Sequence, residues 1–301
     1  MHNIGLILLC LGLGWLCQRL PRVPANSWIA LNTYVIYVAL PATIVFYLPQ
    51  IQLSWALFTP FAIGLWVFLG AILFAEVIGR WLGWDRGLRG CVAICCGFGN
   101  TSFVGFPLVE AWYGSQALQT AVLVDQGTFL VLSTLGIGAA GWYGGQQAPR
   151  WREVWQRMAV FPPFWAFVGA LMLMTTSVTL PDWGKALCER LSLTLSPVAL
   201  FSVGLQLRFA LDKTARWPLS LGLLYKLVLM PAILYALWGR QMVEQQQTLQ
   251  ICLIEAAMAP MVSASLIAVE HQLKPTLANL YVGIGIPLSL LSVAAWVWWL
   301  G

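Results

Sequence analysis

The segment GFGNTSFVGFP, residues 97–107, interrupts a chain whose other long stretches are almost uniformly apolar. Gly and Pro weaken helical backbone, and the Asn, Thr and Ser side chains of this segment need partners in an apolar environment. We therefore predict that a helix is broken here, at Gly97, Gly99, Gly105 and Pro107.

The composition indicates a polytopic membrane protein. Hydrophobic residues make up 60% of the 301 positions, charged residues 9%, and the mean hydropathy is +0.79. The net charge of +5 is dispersed over short connections, which argues against a nucleic-acid partner. Seven cysteines, an odd number, and two histidines favour neither a disulfide framework nor a metal site.

Runs of about 20 apolar residues predict ten membrane-spanning helices. These spans are 3–20, 28–48, 55–79, 88–113, 115–141, 158–179, 187–209, 217–239, 248–270 and 276–299. Span 4 would be about 39 Å long as a straight helix, whereas the hydrocarbon layer requires roughly 30 Å. Its length is therefore a second indication that span 4 is interrupted.

The distribution of Lys and Arg predicts the orientation. Loops on one side carry twelve basic residues, and loops on the other carry three. The twelve are Arg19, Arg22, Arg80, Arg86, Arg89, Arg150, Arg152, Arg157, Arg208, Lys213, Arg216 and Lys274, and the three are Lys185, Arg190 and Arg240. We expect an integral protein of a bacterial inner or plasma membrane, with both termini outside.

Two halves of five spans each must enter the bilayer from opposite sides. The predicted repeats are 1–141 and 158–301, joined by a cytoplasmic linker, 142–157. Span 9 contains EAAMAPMVSAS, whose Pro260 lies 160 residues after Asn100. Interrupted helices at matching positions of two repeats predict a transporter site at the midplane, where half-helix N-termini favour a carboxylate. The alternative is that the glycines permit close helix packing and that Pro260 only kinks span 9.

Four segments resemble the auxin efflux carrier family, which includes plant PIN-type carriers and bacterial malonate and malate permeases. They are GNTSFVGFPLVEAWYG (99–114), SPVALFSVGLQLRFALDK (196–213), KLVLMPAIL (226–234) and EAAMAPMVSASLIAVEHQLKP (255–275). The resemblance implies an all-α fold of ten transmembrane helices in a 5+5 inverted repeat, with broken helices 4 and 9 crossing at the midplane. Bile-acid symporters and sodium/proton antiporters have a similar fold.

The resemblance also implies a mechanism. A dimeric elevator would use spans 1, 2, 6 and 7 as scaffold and dimer contact, and spans 3–5 and 8–10 as the moving transport domain. Asn100 and Pro260 match the crossover residues. Gly99 replaces a Pro of the plant carriers and Asp125 replaces a neutral Gln, so auxin itself is not the expected substrate.

Three charged residues lie far from the ends of predicted spans, and therefore within the hydrocarbon layer: Asp125, Lys226 and Glu255. A charge at the bilayer centre costs about 2.5–3.5 kcal/mol, so these side chains should face the protein interior. We expect them to carry a coupling proton or sodium ion. For Glu255, an ion pair with Lys226 is an equally good interpretation, whereas Asp125 and its neighbour Gln126 have no obvious local partner.

The candidate substrate-binding residues are those at or beside the two breaks and on span 5: Asn100, Thr101, Ser102, Gln126, Pro260 and Ser263. The alternative for the three hydroxyl groups is a hydrogen bond to a helix carbonyl. Glu76 and Arg80 have the spacing of a helical ion pair, and Glu110 is expected at a solvated helix end.

The predicted function is secondary active transport of a small organic anion, a mono- or dicarboxylate. A sodium/proton antiporter or a sodium-coupled bile-acid-like symporter is the alternative within the same fold. An intramembrane acyltransferase or lipid transferase is disfavoured because no His, Asp-rich or metal motif is visible. We expect no enzyme activity, no cofactor beyond a coupled proton or sodium ion, and a homodimer in the lipid bilayer.

Overall fold

The structure, a computed structural model, describes residues 2–51, 57–145, 151–176, 178–207, 216–239 and 245–301. Four basic residues used to predict the orientation lie outside the described residues: Arg150, Arg208, Lys213 and Arg240. Part of the predicted linker, 146–150, lies outside them as well. The described part of the chain forms helices and no β-strand.

The described helices divide between the two predicted repeats. The first repeat contains α1 (His2–Cys17), α2 (Ser27–Tyr34), α3 (Leu40–Tyr47), α4 (Phe58–Trp81), α5 (Arg86–Gly97), α6 (Phe106–Tyr113), α7 (Leu118–Val131) and α8 (Ile137–Tyr143). The linker and the second repeat contain α9 (Trp151–Val160), α10 (Pro162–Thr175), α11 (Asp182–Ser192), α12 (Leu195–Gln206), α13 (Arg216–Leu224), α14 (Met230–Trp238), α15 (Gln246–Ala256), α16 (Val262–Glu270) and α17 (Pro275–Leu300).

Three pairs of the described helices are joined end to end by π-helical turns, and a fourth such turn leads into α6 after the break that follows α5. The turns are Val35–Ala39, Thr101–Gly105, Leu132–Gly136 and Tyr225–Leu229. Three of them are followed two residues later by a proline, namely Pro41, Pro107 and Pro231. Proline has no N–H and its ring clashes with the carbonyl four residues earlier, so a turn widened by one residue accommodates it.

Six described helical stretches are long and apolar enough to cross a membrane. They are Ser27–Gln50, Phe58–Trp81, Ser115–Tyr143, Asp182–Gln206, Arg216–Trp238 and Pro275–Leu300. A seventh crossing is obtained if α9 and α10, which meet at an angle of 81°, are counted as one bent span. Of the other predicted spans, span 1 is the shorter helix α1, and spans 4 and 9 each consist of two short helices.

The helices pack in two groups. In the first, α1 lies against α12, while α2 and α3 contact α10, α11 and α12. Gly14 and Gly204 allow the closest approach in this group, since a Cβ atom added at Gly14 would lie 2.9 Å from the Cα of Gly204. In the second group, α4 packs on α5 and α7, α5 on α8 and α16, α14 on α15, and α16 on α17.

A polar network joins α4, α5 and α8 at one end of the second group. The Glu76 carboxylate forms ion pairs with Arg80 at 2.9 Å and with Arg89 at 2.8 Å. It also accepts a hydrogen bond of 2.7 Å from the Tyr143 hydroxyl. The predicted pair of Glu76 and Arg80 is therefore confirmed, as part of a larger network.

Candidate functional site

The two interrupted helices meet at their breaks. The backbone N–H of Asn100 donates to the carbonyl of Ala259 at 2.7 Å, and the N–H of Met261 donates to the carbonyl of Phe98 at 3.0 Å. These hydrogen bonds form a short antiparallel bridge in which Gly99 lies opposite Pro260. The helix pair α5 and α6 thus crosses the pair α15 and α16 at the predicted interruptions.

The local sequence explains why the chain can leave the helix here. Phe98 has an extended backbone, with φ −131° and ψ 127°, and Met261 is extended as well, with φ −72° and ψ 135°. The peptide groups at each break form hydrogen bonds with peptide groups of the other break. These bonds replace the hydrogen bonds that the same groups would have made within a continuous helix. Each peptide group left without a hydrogen bond in an apolar environment would cost roughly several kcal/mol of free energy.

Asp125 of α7 is held by three donors. Its Oδ1 accepts hydrogen bonds from the Thr101 hydroxyl at 2.5 Å and from the Ser102 hydroxyl, and its Oδ2 accepts one of 3.1 Å from Gln126 Nε2. All four side chains are buried. The expectation that Asp125 and Gln126 have no local partner was therefore wrong, because the π-helical turn after Asn100 brings two hydroxyl groups to the carboxylate.

Lys226 lies in the π-helical turn between α13 and α14 and is completely buried. Its ammonium group reaches the first break, since a Cβ atom added at Gly99 would lie 3.3 Å from Nζ. Nζ has no hydrogen-bond partner among the described residues. A buried ammonium group without a partner is costly, so this position calls for an anion or a polar ligand.

Glu255 lies in the last turn of α15, immediately before the second break, and 1% of its surface is exposed. Its carboxylate packs directly against Gly105 of the π-helical turn. Within the described residues neither carboxylate oxygen accepts a hydrogen bond, and Lys226 and Glu255 form no ion pair. The alternative interpretation of Glu255 as the partner of Lys226 is therefore wrong for this conformation.

The unpartnered polar atoms of the protein are concentrated at the crossing. Five buried side-chain atoms lack a hydrogen-bond partner in the part of the chain that is described. Four of them belong to the crossing, namely Asn100 Nδ2, Lys226 Nζ and both Glu255 carboxylate oxygens. The fifth is Arg89 Nε, in the network around Glu76. Each such atom costs about 1–3 kcal/mol, and native proteins contain few, so their clustering indicates a binding site.

We call Asn100, Lys226 and Glu255 the crossover cluster. Of the predicted helix-break residues, Gly99 and Gly105 contact the cluster, whereas Gly97 contacts Phe68. Ser263 does not converge on it, because its side chain in the first turn of α16 is exposed.

Two features escaped the sequence analysis. Ser265 is buried two residues beyond Ser263, and Glu110, in the last turn of α6, accepts a hydrogen bond of 2.7 Å from Ser196. Pro231, five residues after Lys226, could have been used to predict the π-helical turn in which the buried lysine lies.

Comparison with known proteins identifies the family. A model of the family described as "Membrane transport protein" matches residues 1–297. An "Uncharacterized transporter" of Methanothermobacter thermautotrophicus is 25% identical over 296 residues, which cover 96% of this chain and 95% of that protein. A second "Uncharacterized transporter", from Methanocaldococcus jannaschii, is 24% identical over 280 residues, 89% of this chain and 88% of that protein.

A third relative carries a more specific name. It is called "Putative malonate transporter" in Rhizobium meliloti and is 29% identical over 247 residues, which cover 77% of this chain and 75% of that protein. The resemblance to the auxin efflux carrier family is confirmed by the family match. The chain is therefore a member of the membrane transport protein family, to which the auxin efflux carriers belong.

Proposed function

We propose that this protein is a secondary active transporter of small organic anions, which binds the substrate carboxylate where the two interrupted helices meet. The observation that carries the proposal is the presence of two buried donors, Lys226 Nζ and Asn100 Nδ2, that have no partner among the described residues at that crossing. The name of the Rhizobium relative supports a carboxylate as the cargo.

The residues of the crossing have distinct roles in this proposal. Asn100 and the N-termini of the two half-helices that begin after Asn100 and after Pro260 bind the carboxylate, because free N–H groups and the helix dipole favour an anion. Thr101, Ser102 and Gln126 hold Asp125 beside the site and line it. Ser263, whose side chain is exposed on α16, has no role in this proposal.

Coupling is assigned to the three charged side chains. Asp125, Glu255 and Lys226 are buried in a chain that crosses the membrane, where ionisable residues commonly mark ion or proton pathways. Glu255 is the stronger candidate for the coupling proton, because its carboxylate accepts no hydrogen bond in the described structure and is therefore available to take up a proton when the substrate binds. Asp125, in contrast, has three donors.

The architecture we propose is a ten-span inverted repeat of residues 1–141 and 158–301 that works as an elevator. Two observations support it: the interrupted helices occupy corresponding places in the two halves, and the helices pack in two groups. The first group contains the helices of spans 1, 2, 6 and 7, the scaffold, and the second contains helices of spans 3–5 and 8–10, the transport domain. The helix α6 of span 4 contacts α1 and α12 of the first group as well as α7 of the second. We further propose homodimerisation through the scaffold, as the family resemblance implies, and both termini outside the membrane.

Substitution of Asn100 tests the assignment of the site. We expect Asn100→Ala to abolish carboxylate uptake into proteoliposomes, because the side-chain amide at the crossing is lost while the backbone bridge is retained. Asn32→Ala serves as the control, since Asn32 bonds Ser202 away from the crossing. Unchanged uptake by Asn100→Ala would remove Asn100 from the site.

One observation favours a second candidate, a sodium/proton antiporter or a sodium-coupled bile-acid-like symporter. The Asp125 carboxylate and the hydroxyl oxygens of Thr101 and Ser102 are ligands of the type that hard cations prefer. Current recordings on a solid-supported membrane separate the candidates. A current driven by a sodium gradient without any carboxylate supports the antiporter, whereas a current that requires a carboxylate supports the proposed transporter.

A further inference from the structure

The crossover cluster contains opposite charges that do not neutralise each other directly. Lys226 and Glu255 are both buried, yet neither the ammonium group nor the carboxylate has a partner among the residues that the structure describes. An anion bound to Lys226 and Asn100 would accept hydrogen bonds from these two donors but would donate none to Glu255. It would leave the Glu255 carboxylate unpartnered and facing a second negative charge, so a simple anion does not complete the site.

The neighbouring helices do not supply the missing donor. Lys226 and Asp125 are the charged residues whose fields act on Glu255. Asp125 is an acceptor that already has three donors.

The other titratable groups of the helices around Glu255 are occupied or carry no positive charge. Cys252 lies one turn earlier on α15 and carries no positive charge. Tyr281 of α17 donates its hydroxyl to the carbonyl of Pro218 at 2.6 Å. Glu76 and Arg80 of α4 are paired with each other. Within the described structure, a donor to Glu255 must therefore arrive with the ligand.

We propose that the crossover cluster binds a short dicarboxylate together with one proton, which is shared between Glu255 and the second carboxyl group of the ligand. The first carboxylate of the ligand accepts hydrogen bonds from Lys226 Nζ and Asn100 Nδ2. This inference rests on the proposed function and specifies the substrate class and the location of the coupled proton.

The charge balance explains why the proton is needed. The Lys226 ammonium group compensates one of the two ligand carboxylates, and the other meets the ionised Glu255. Two carboxylates that share one buried site cannot both remain ionised, so one proton from solution is taken up between them. No proton is required when the second end of the ligand carries no charge.

Calorimetry of the full-length protein in detergent tests the inference. Titration with malonate in buffers of different ionisation enthalpy gives the number of protons taken up on binding. Above the second ionisation of malonic acid, we expect about one proton per malonate bound. The matched ligand is the monomethyl ester of malonate, which has the same first carboxylate and should bind with no proton uptake.

Variants locate the proton. In Glu255→Gln the amide can donate directly to the second carboxylate, so we expect malonate to bind without proton uptake. The malonate affinity of the natural protein should fall about tenfold per pH unit in this range, and that of Glu255→Gln should change little. Glu110→Gln is the matched control, because Glu110 is paired with Ser196 outside the cluster and its substitution should leave the proton count unchanged.

The outcomes separate this inference from the proposed function. Malonate binding by the natural protein without proton uptake, or equal uptake with the monomethyl ester, overturns the inference and leaves the proposed carboxylate transporter intact. These two titrations need no variant, so misfolding of Glu255→Gln would not affect the decision. Absence of binding by malonate, succinate, malate and the monomethyl ester overturns both.

Discussion

At the scale of single residues, the helix crossing depends on three buried charged side chains, those of Asp125, Lys226 and Glu255. Asp125, Lys226 and Glu255 were expected to face the interior because a charge exposed to lipid is costly. Their partners depend on the direction of each side chain, which the π-helical turns at 101–105 and 225–229 alter locally. Periodicity alone cannot reveal such turns. The two hydroxyl donors to Asp125 were therefore not foreseen, and the choice between an ion pair and a coupling site at Glu255 was left open.

Gly105 is the residue at which the packing of Glu255 can be tested. A methyl group added there would overlap the Glu255 carboxylate. Because overpacking in a buried site costs about 1–3 kcal/mol, we expect Gly105→Ala to lower the midpoint of thermal unfolding in detergent. The added methyl group should also weaken carboxylate binding, since it displaces a side chain of the cluster.

Gly138→Ala is the matched control for Gly105→Ala. Gly138 also lies within a helix, but a Cβ atom there would meet nothing within 4 Å. We expect this control to bind carboxylate normally and to unfold at the same temperature or slightly higher, because Ala favours helix. Equal behaviour of the two variants would contradict the packing described for Glu255.

At the scale of elements, the interruptions at residues 97–107 and at Pro260 could be predicted from Gly, Pro and polar residues in apolar runs. Their contact could not be worked out from local composition, since it results from packing between the two halves. The backbone bridge between Gly99 and Pro260 is a tertiary feature. The resemblance to a known family, in contrast, implied that the two interrupted helices cross.

The start of α5 gives a prediction about pH. Asp85 caps α5 by accepting a hydrogen bond of 2.8 Å from the N–H of Leu88, and its carboxylate pairs with Lys274 at 2.7 Å. The hydrogen bond from Lys274 is the main cause that lowers the pKa of Asp85 below its ordinary value of 3.8. The stabilisation is therefore present above that ordinary pKa and is lost as the pH falls through the folded pKa.

Asp85→Asn isolates this contribution, because Asn caps a helix about as well as Asp but cannot form the ion pair. We expect the natural protein to have a slightly higher thermal midpoint than the variant at neutral pH, and the difference to vanish in acid. The effect should be small, since both side chains are largely exposed. A difference that persists in acid would show that Asp85 acts through something other than its charge.

At the scale of the whole molecule, composition was sufficient to predict a polytopic helical membrane protein. Six described stretches have the length and apolarity of complete spans. An average of hydropathy over about 20 residues does not distinguish an interrupted span from a continuous one. It also does not predict the bend of 81° between α9 and α10. The bend is caused by two prolines, Pro162 and Pro163, which lie at the start of α10 and prevent α9 from continuing.

Movement between the two helix groups is testable at one contact. Ser196 of α12, in the proposed scaffold, donates a hydrogen bond of 2.7 Å to Glu110 of α6, in the proposed transport domain. An elevator must break this contact. We therefore expect a thiol-reactive cross-link between Ser196→Cys and Glu110→Cys, in a background without other cysteines, to abolish uptake into proteoliposomes.

Reduction of the cross-link should restore uptake, and each single-cysteine variant treated with the same reagent should transport normally. Full uptake by the cross-linked protein would mean that α6 and α12 do not separate during transport. The proposed elevator would then be wrong, whereas the assignment of the binding site would be unaffected.

The most direct test of the central claim is the position of a bound carboxylate. Bromomalonate carries a bromine atom whose anomalous X-ray signal locates the ligand in crystals of the protein. We predict a peak beside Asn100, Lys226 and Glu255, with the bromine signal lost on competition with malonate. A peak confined to another site, such as the 340 Å³ cavity lined by Gln50 and Lys185, would contradict binding at the helix crossing.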